Sequence, residues 1–247
     1  MIEPLPIPYV RQPDVQHNRM CGAASLLMIY RYWAGERDAS PRSPDGSAAP
    51  TPAQHALPSL SQRDLLECHL VWSRIATSDG RGGRYARCHR LAVDLHHAGL
   101  DAAVVQAAQP WQALQAAREA GLPTIVNFRL APDSKLGHFA VVTAVATDAI
   151  CLHDPQFGPH RRLSREQFLE LWSSLPEGSE ITGKTMIVVA GPTQVPPGPA
   201  DRWPLQDCPG CGRAFAYPPV RPLLAAIAGA FCPWCDRGWQ LRLVDEG

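Results

Sequence analysis

The sequence predicts an α+β fold, and three observations carry that reading. Helix-period apolar stretches dominate the first part of the chain, β-branched runs dominate the second, and two Cys-x-x-Cys pairs mark its end. They divide 247 residues into a main domain over 1–190, a proline-rich linker over 191–204 and a small module over 205–247. Apolar residues make up 45% of the chain, enough for a substantial core. Lys and Arg total 23, as do Asp and Glu, so no global field draws the protein to nucleic acid or to an anionic membrane. The opening residues, MIEPLPIPYV, lack the basic-then-apolar pattern of a signal peptide. No run approaches the roughly 18 apolar residues of a membrane span, and the expected location is cytoplasmic.

In chain order, Cys21 to Trp33 is apolar nearly all round and predicts a buried helix. Residues 36–58, rich in Pro, Ser and Ala, cannot bury much surface; they predict a mobile insertion, either a tolerated surface loop or a flap over a cleft. Ser61-x-x-Asp64 opens a helix running to about Trp72. Gly80 to Arg84 (GRGGR) forms a loop without the Lys and Ser/Thr of a phosphate-binding loop. Then come a helix over 88–97, a strand over 102–106, a helix over 110–120 and a strand over 124–128. Phe139 to Val145 (FAVVTAV) and Ala149 to His153 form a hairpin about a turn at 146–148. Ser164 to Gln167 makes a capping box for a helix ending near Trp172, and Thr185 to Ala190 is a further strand.

Three residues at the ends of these elements carry chemistry. Cys21 opens its helix, where the partial positive charge of the N-terminus favours a thiolate. His138 stands just before the first hairpin strand and Asp154 just after the second. Positions 138 and 154 centre on 146, so the pair should face each other across the hairpin, about 5 Å apart at Cα. Cysteine, histidine and aspartate in that order suggest the nucleophile, base and orienter of a cysteine hydrolase.

At these residues the chain resembles the papain-like cysteine peptidases of the bacteriocin-processing, double-glycine type. The resemblance rests on Pro8-Tyr9-Val10-Arg11-Gln12 with Cys21-Gly22-Ala23-Ala24-Ser25, on Gly137-His138-Phe139-Ala140-Val141-Val142, and on His153-Asp154-Pro155-Gln156-Phe157-Gly158. It implies a two-lobed papain-like fold with the site between the lobes, Cys21 as nucleophile, His138 as base and Asp154 as orienter. It also implies an oxyanion hole built from the Cys21 N–H and a glutamine amide. The family places that glutamine about six residues before the cysteine, where Val15 stands here. Gln12 has the matching neighbours and is the preferred candidate; Gln16 is the alternative. The implied substrate is a peptide or protein tail cut after small residues such as double glycine. Two other readings stand beside it: a catalytically silent papain-like adaptor that binds peptides, and a thioester-forming acyl transferase.

The C-terminal module carries Cys208, Cys211, Cys232 and Cys235, a spacing that resembles zinc ribbons and predicts one structural Zn2+ held by four thiolates. With all four positions taken by cysteine no water site is left, so the ion should be structural rather than catalytic. Residues 201–247 hold five basic and five acidic side chains, which argues against a nucleic-acid footprint. Trp203, Phe215, Tyr217, Trp234 and Trp239 should pack the module or dock it on the main domain or on a protein partner. Cys68-His69 and Cys88-His89, adjacent rather than spaced, do not predict a second metal site. His96-His97 reads as a solvated helix end, and His153 should face away from Asp154.

Overall fold

The structure is a computed structural model that describes residues 3–13, 20–37, 59–78, 80, 83–175, 180–191, 203 and 205–240. Its elements are α1 (Cys21–Trp33), α2 (Gln62–Ile75), β1 (Thr77–Ser78), β2 (Arg84–Tyr85), α3 (Cys88–His97), β3 (Asp101–Ala107), α4 (Pro110–Glu119), β4 (Thr124–Arg129), β5 (Gly137–Val145), β6 (Ala149–Asp154), β7 (Gly158–Ser164), α5 (Arg165–Leu171), β8 (Thr185–Ala190), β9 (Leu205–Asp207), β10 (Ala214–Ala216), α6 (Arg221–Ala226), β11 (Ile227–Phe231) and β12 (Gly238–Gln240). The α+β expectation is borne out. Eight strands form one antiparallel sheet in the order β12-β11-β3-β8-β4-β5-β6-β7.

Period-two alternation splits the strand residues between two cores. Val105, Val126, Ala140, Val142 and Val188 pack on one face with α4, α5 and the C-terminal segment. Val104, Ile125, Phe139, Val141 and Ile187 pack on the other with α1, α2 and α3. Both faces are therefore covered, which is why these strands read as near-continuous apolar runs rather than as alternating ones. The helix starts obey their signals. Ser61 Oγ accepts from Asp64 N at 3.0 Å. The box at α5 is closed both ways, by Gln167 N to Ser164 Oγ at 3.2 Å and Ser164 N to Gln167 Oε1 at 3.1 Å.

The hairpin register differs from the expectation. Next to the turn Val145 pairs with Ile150 and Ala144 with Cys151; beyond Thr143 the ladder shifts, so that Val142 pairs with Leu152 and Val141 with His153. Asp154 thus falls opposite Ala140, and His138 lies one diagonal step away instead of directly across. The shift is a β-bulge at Thr143, whose hydroxyl donates to Cys151 O at 3.2 Å and whose carbonyl accepts from Leu5 N at 2.9 Å. Without it, continuation of the first ladder would set Asp154 opposite Val141 and place the two side chains on opposite faces. The bulge is what lets them meet.

The four-cysteine segment does not stand apart from this sheet. β11 pairs antiparallel with β3 and β12 extends it, while Trp203, Phe215, Leu223 and Ala226 join the core under α4. Most of the linker expected over 191–204 and residues 38–58 of the expected insertion lie outside the described residues, as do Val15 and Gln16.

Candidate active site

Cys21 is the first residue of α1. Met20 before it offers no capping side chain and the first turn holds no acid, so nothing local competes for the positive end of the helix. His138 stands near the start of β5 and Asp154 at the end of β6. The three side chains come together away from solvent, at 5%, 3% and 0% exposure. His138 Nε2–H donates to Asp154 Oδ1 at 2.7 Å. The ring also hydrogen-bonds Cys21, a contact that falls to Nδ1 because Nε2 is engaged. Burial alone would drive the imidazolium to lose its proton. The Asp154 charge and hydrogen bond, helped by Cys21, outweigh it and push the His138 pKa up to about 10.

Asp154 is held from every side. Oδ1 also accepts from Gln156 N at 2.9 Å and Phe157 N at 3.1 Å, and Oδ2 accepts from Arg161 Nη1 at 2.7 Å. Burial opposes its charge, but His138 and Arg161 prevail and bring the carboxyl down to about 2. The Arg161 guanidinium lies 4.3 Å over the Phe157 ring, and Phe157 and Phe128 meet the His138 ring edge-on. These neighbours fix the imidazole plane.

The N-terminal segment straps the end of β6. His153, which faces away from the His138 side as expected, donates through Nε2 to Ile7 O at 2.8 Å and accepts from His160 N through Nδ1. Tyr9 Oη donates to Asp154 O at 3.2 Å, and Gln12 N donates to Pro155 O at 3.1 Å. Gln12 is thereby carried to the residue next to Asp154. It is 3% exposed, and its Oε1 has no hydrogen-bond partner among the described residues.

Cys21 opens into a cavity of about 530 Å³ shared with Tyr85, Arg87, Cys88, Asn127, Gly137, Phe139, Phe231 and Asp236. At Gly137 a Cβ would lie 3.0 Å from both Asn127 Oδ1 and Ile181 Cγ2, which explains the glycine beside His138. Burial raises the Cys88 thiol to about 11 and the Cys68 thiol to about 12, so neither is a nucleophile at neutral pH.

The sulfurs of Cys208, Cys211, Cys232 and Cys235 all lie within 4.8 Å of one another. Cys208 and Cys235 are 3.6 Å apart and Cys211 and Cys232 3.7 Å, close to the spacing of about 3.8 Å that tetrahedral bonds of about 2.3 Å require. Gly210 N and Trp234 N each donate to a cysteine sulfur, as suits thiolate ligands. The set fits a metal ion. It is the sole such group among the described residues, so Cys68-His69 and Cys88-His89 form no second site.

Sequence reasoning did not reach Arg161, the strap on β6, or the entry of Phe231 and Asp236 into the Cys21 cavity. Arg161 lies in a strand with no apolar alternation, and the other two depend on pairings between distant segments. His96 and His97 are not simply solvated; both rings lie against Trp234, at 5.9 and 6.0 Å.

Residues 85–175 match the Peptidase C39 family, a stretch that contains His138 and Asp154 and leaves Cys21 outside it. No curated protein matches the chain. Among solved structures, a C39-like peptidase from Bacillus anthracis is 14% identical, with a TM-score of 0.50 over 75% of this chain and 95% of the other. The peptidase domain of Streptococcus ComA, a bifunctional ABC transporter of a quorum-sensing pathway, is 16% identical with a TM-score of 0.45, covering 75% and 98%. A double-glycine-motif protease from an AMS/PCAT transporter, solved with its leader peptide, is 16% identical with a TM-score of 0.41, covering 76% and 98%. At such identities the likeness concerns the fold. No helix among the described residues is long and apolar enough to cross a membrane.

Proposed function

We propose that this chain is a cysteine peptidase of the C39 type, that Cys21, His138 and Asp154 are its catalytic triad, and that it cuts a peptide or protein tail after small residues such as double glycine. The observation that carries the reading is the position of His138, joined to Cys21 on one side and to Asp154 on the other in a buried site. A protonated His138 beside a Cys21 thiolate is the resting pair of a cysteine peptidase. The thiolate attacks the scissile carbonyl, the imidazolium gives its proton to the leaving amine, and water activated by the neutral ring then hydrolyses the thioester. Asp154 keeps the ring in the tautomer and plane that this exchange needs.

Gln12 completes the oxyanion hole with the Cys21 N–H. Its placement supports this role. The Gln12 N–H to Pro155 O bond holds this buried residue beside the end of β6 that carries Asp154, and the donor it would offer is its Nε2–H. Zinc is the ion assigned to the four cysteines, since an all-thiolate tetrahedral set is the donor chemistry it prefers. The ion would supply folding energy and no chemistry of its own. A reducing, cytoplasmic setting keeps the five thiols of both sites competent.

The test is alkylation by iodoacetamide at about pH 6, read by intact mass with metal retained and Cys21→Ala as control. An ordinary thiol of pKa about 8.5 is almost fully protonated there and reacts slowly. Rapid single labelling lost in Cys21→Ala is the expected result. A rate no faster than a free thiol would leave a peptide-binding shell. Product analysis with added amine separates hydrolysis from acyl transfer.

A further inference from the structure

The four-cysteine segment reaches the substrate cleft through two residues, Phe231 and Asp236, which line the same cavity as Cys21. Phe231 is exceptional within its segment. The neighbouring apolar residues pack under α4, whereas Phe231 packs against the opposite core, the one that contains Cys21 and α1. Its place is fixed on both sides by strand pairing, with Val104 of β3 on one flank and Gly238 of β12 on the other. Gly238 makes room for the ring: a Cβ there would stand 2.9 Å from Phe231 Cε1.

Asp236 closes the segment onto α3. Its carboxylate lies 3.6 Å from Arg87 Nη1 and 3.2 Å from His89 Nδ1, and its N–H donates to Cys232 O, the carbonyl of a cysteine in the metal set. Trp234, between Cys232 and Cys235, covers the other end of α3 by lying against His96 and His97. The short stretch from Trp234 to Asp236, around the sulfur ligand Cys235, therefore grips both ends of the helix that contributes Cys88 to the cleft.

We propose that the metal-binding segment is a wall of the peptidase cleft and that Phe231 is a specificity-determining residue, receiving an apolar substrate side chain that flanks the scissile bond. The proposal rests on the reading of Cys21 as the nucleophile. Phe139, Val104 and Phe231 give the cavity an apolar face, and about 530 Å³ is more room than two glycines fill. The segment is thus more than a fold anchor. It supplies one surface of the site, so the cleft is complete only when the four cysteines hold their hairpin in place.

The experiment compares two electrophilic peptides ending in a Gly-Gly vinyl ester, one with Leu and one with Ser before the glycines, on the full chain with metal retained. Iodoacetamide run in parallel reads Cys21 itself. In the unaltered protein the Leu peptide should label faster, and Phe231→Ala should remove about tenfold of that preference with little change in the iodoacetamide rate. Gly238→Ala, which displaces the ring without replacing a cavity residue or a metal ligand, should erode the preference in the same direction and stands in if Phe231→Ala fails to fold. An unchanged Leu-to-Ser ratio in folded, metal-replete variants would overturn the proposal. Should neither reagent label Cys21 faster than a free thiol, the peptidase reading has failed instead. Fluorescence anisotropy of the corresponding unreactive peptide amides on Cys21→Ala then reads the wall directly. A Leu preference lost in Phe231→Ala supports it, and its absence overturns it.

Discussion

Asp154→Asn isolates the electrostatic part of the site. The carboxylate is fully buried and accepts from His138, Arg161 and two backbone N–H groups. An asparagine can leave its oxygen at the Oδ1 position, where three donors converge. Its NH2 then points at the Arg161 guanidinium at what was a 2.7 Å contact, donor against donor. The turn should survive, but His138 loses the anion that holds its pKa at about 10, and burial pulls the ring back towards or below its ordinary 6.5. At about pH 8 the imidazolium then becomes a minor form; with the lost orientation, kcat/KM should fall roughly 10²–10³-fold. The assay is a pH profile of kcat/KM for both proteins. Wild type should keep its basic limb near 10, whereas the variant's limb should move down into the neutral range. The same pair gives a stability signature. His138 is raised, so its contribution is present below 6.5 and lost as pH climbs through about 10; Asp154 is lowered, so its contribution is present above 3.8 and lost as pH falls through about 2. Asp154→Asn should flatten both ends of the curve. Near-wild-type turnover with an unmoved basic limb would refute the orienting role.

Further expectations follow from other contacts. Gln12→Ala should lower kcat by about 10²-fold with KM nearly unchanged, as for the loss of one oxyanion donor; an effect confined to KM would assign Gln12 to substrate binding. Metal analysis should find one zinc per chain, and chelation should lower the melting temperature and expose Cys208 and Cys232 to alkylation, both of which are buried in the structure. Unchanged melting after complete zinc removal would contradict that. Ser61→Ala removes the cap that accepts from Asp64 N and should cost about 1 kcal/mol in chemical denaturation without altering Cys21 labelling.

The candidate site was legible because its residues sit at element ends, where local sequence is most informative. Cys21 begins a helix whose apolar run has an evident start, and His138 and Asp154 bracket two strands with a clear turn. Counting outward from that turn gave the right neighbours by the wrong register: the ladder beside it centres between 147 and 148 rather than on 146, and a bulge that leaves no compositional mark in a run as uniform as FAVVTAV then shifts the outer pairs. The capping signals at Ser61 and Ser164 held because each is a contact across three residues. What stayed hidden is non-local. Nothing near Phe231 announces that its strand will pair with β3 more than a hundred residues earlier, and nothing in GPHRRLS singles out Arg161 as the partner of Asp154.

The extra residue at Thr143 makes chain length itself a determinant of catalysis. A residue gained or lost in the exposed turn at 146–148 would change the loop and leave the proposed triad alone. Deleting Thr143 would turn Asp154 to the far side of the sheet from His138, although every residue of the triad would still be present. Homologous hairpins can therefore drift freely in length at the tip but only in steps of two between the bulge and the active residues. A chain with the three residues and the wrong parity would look like an enzyme in its sequence and be inert in its fold.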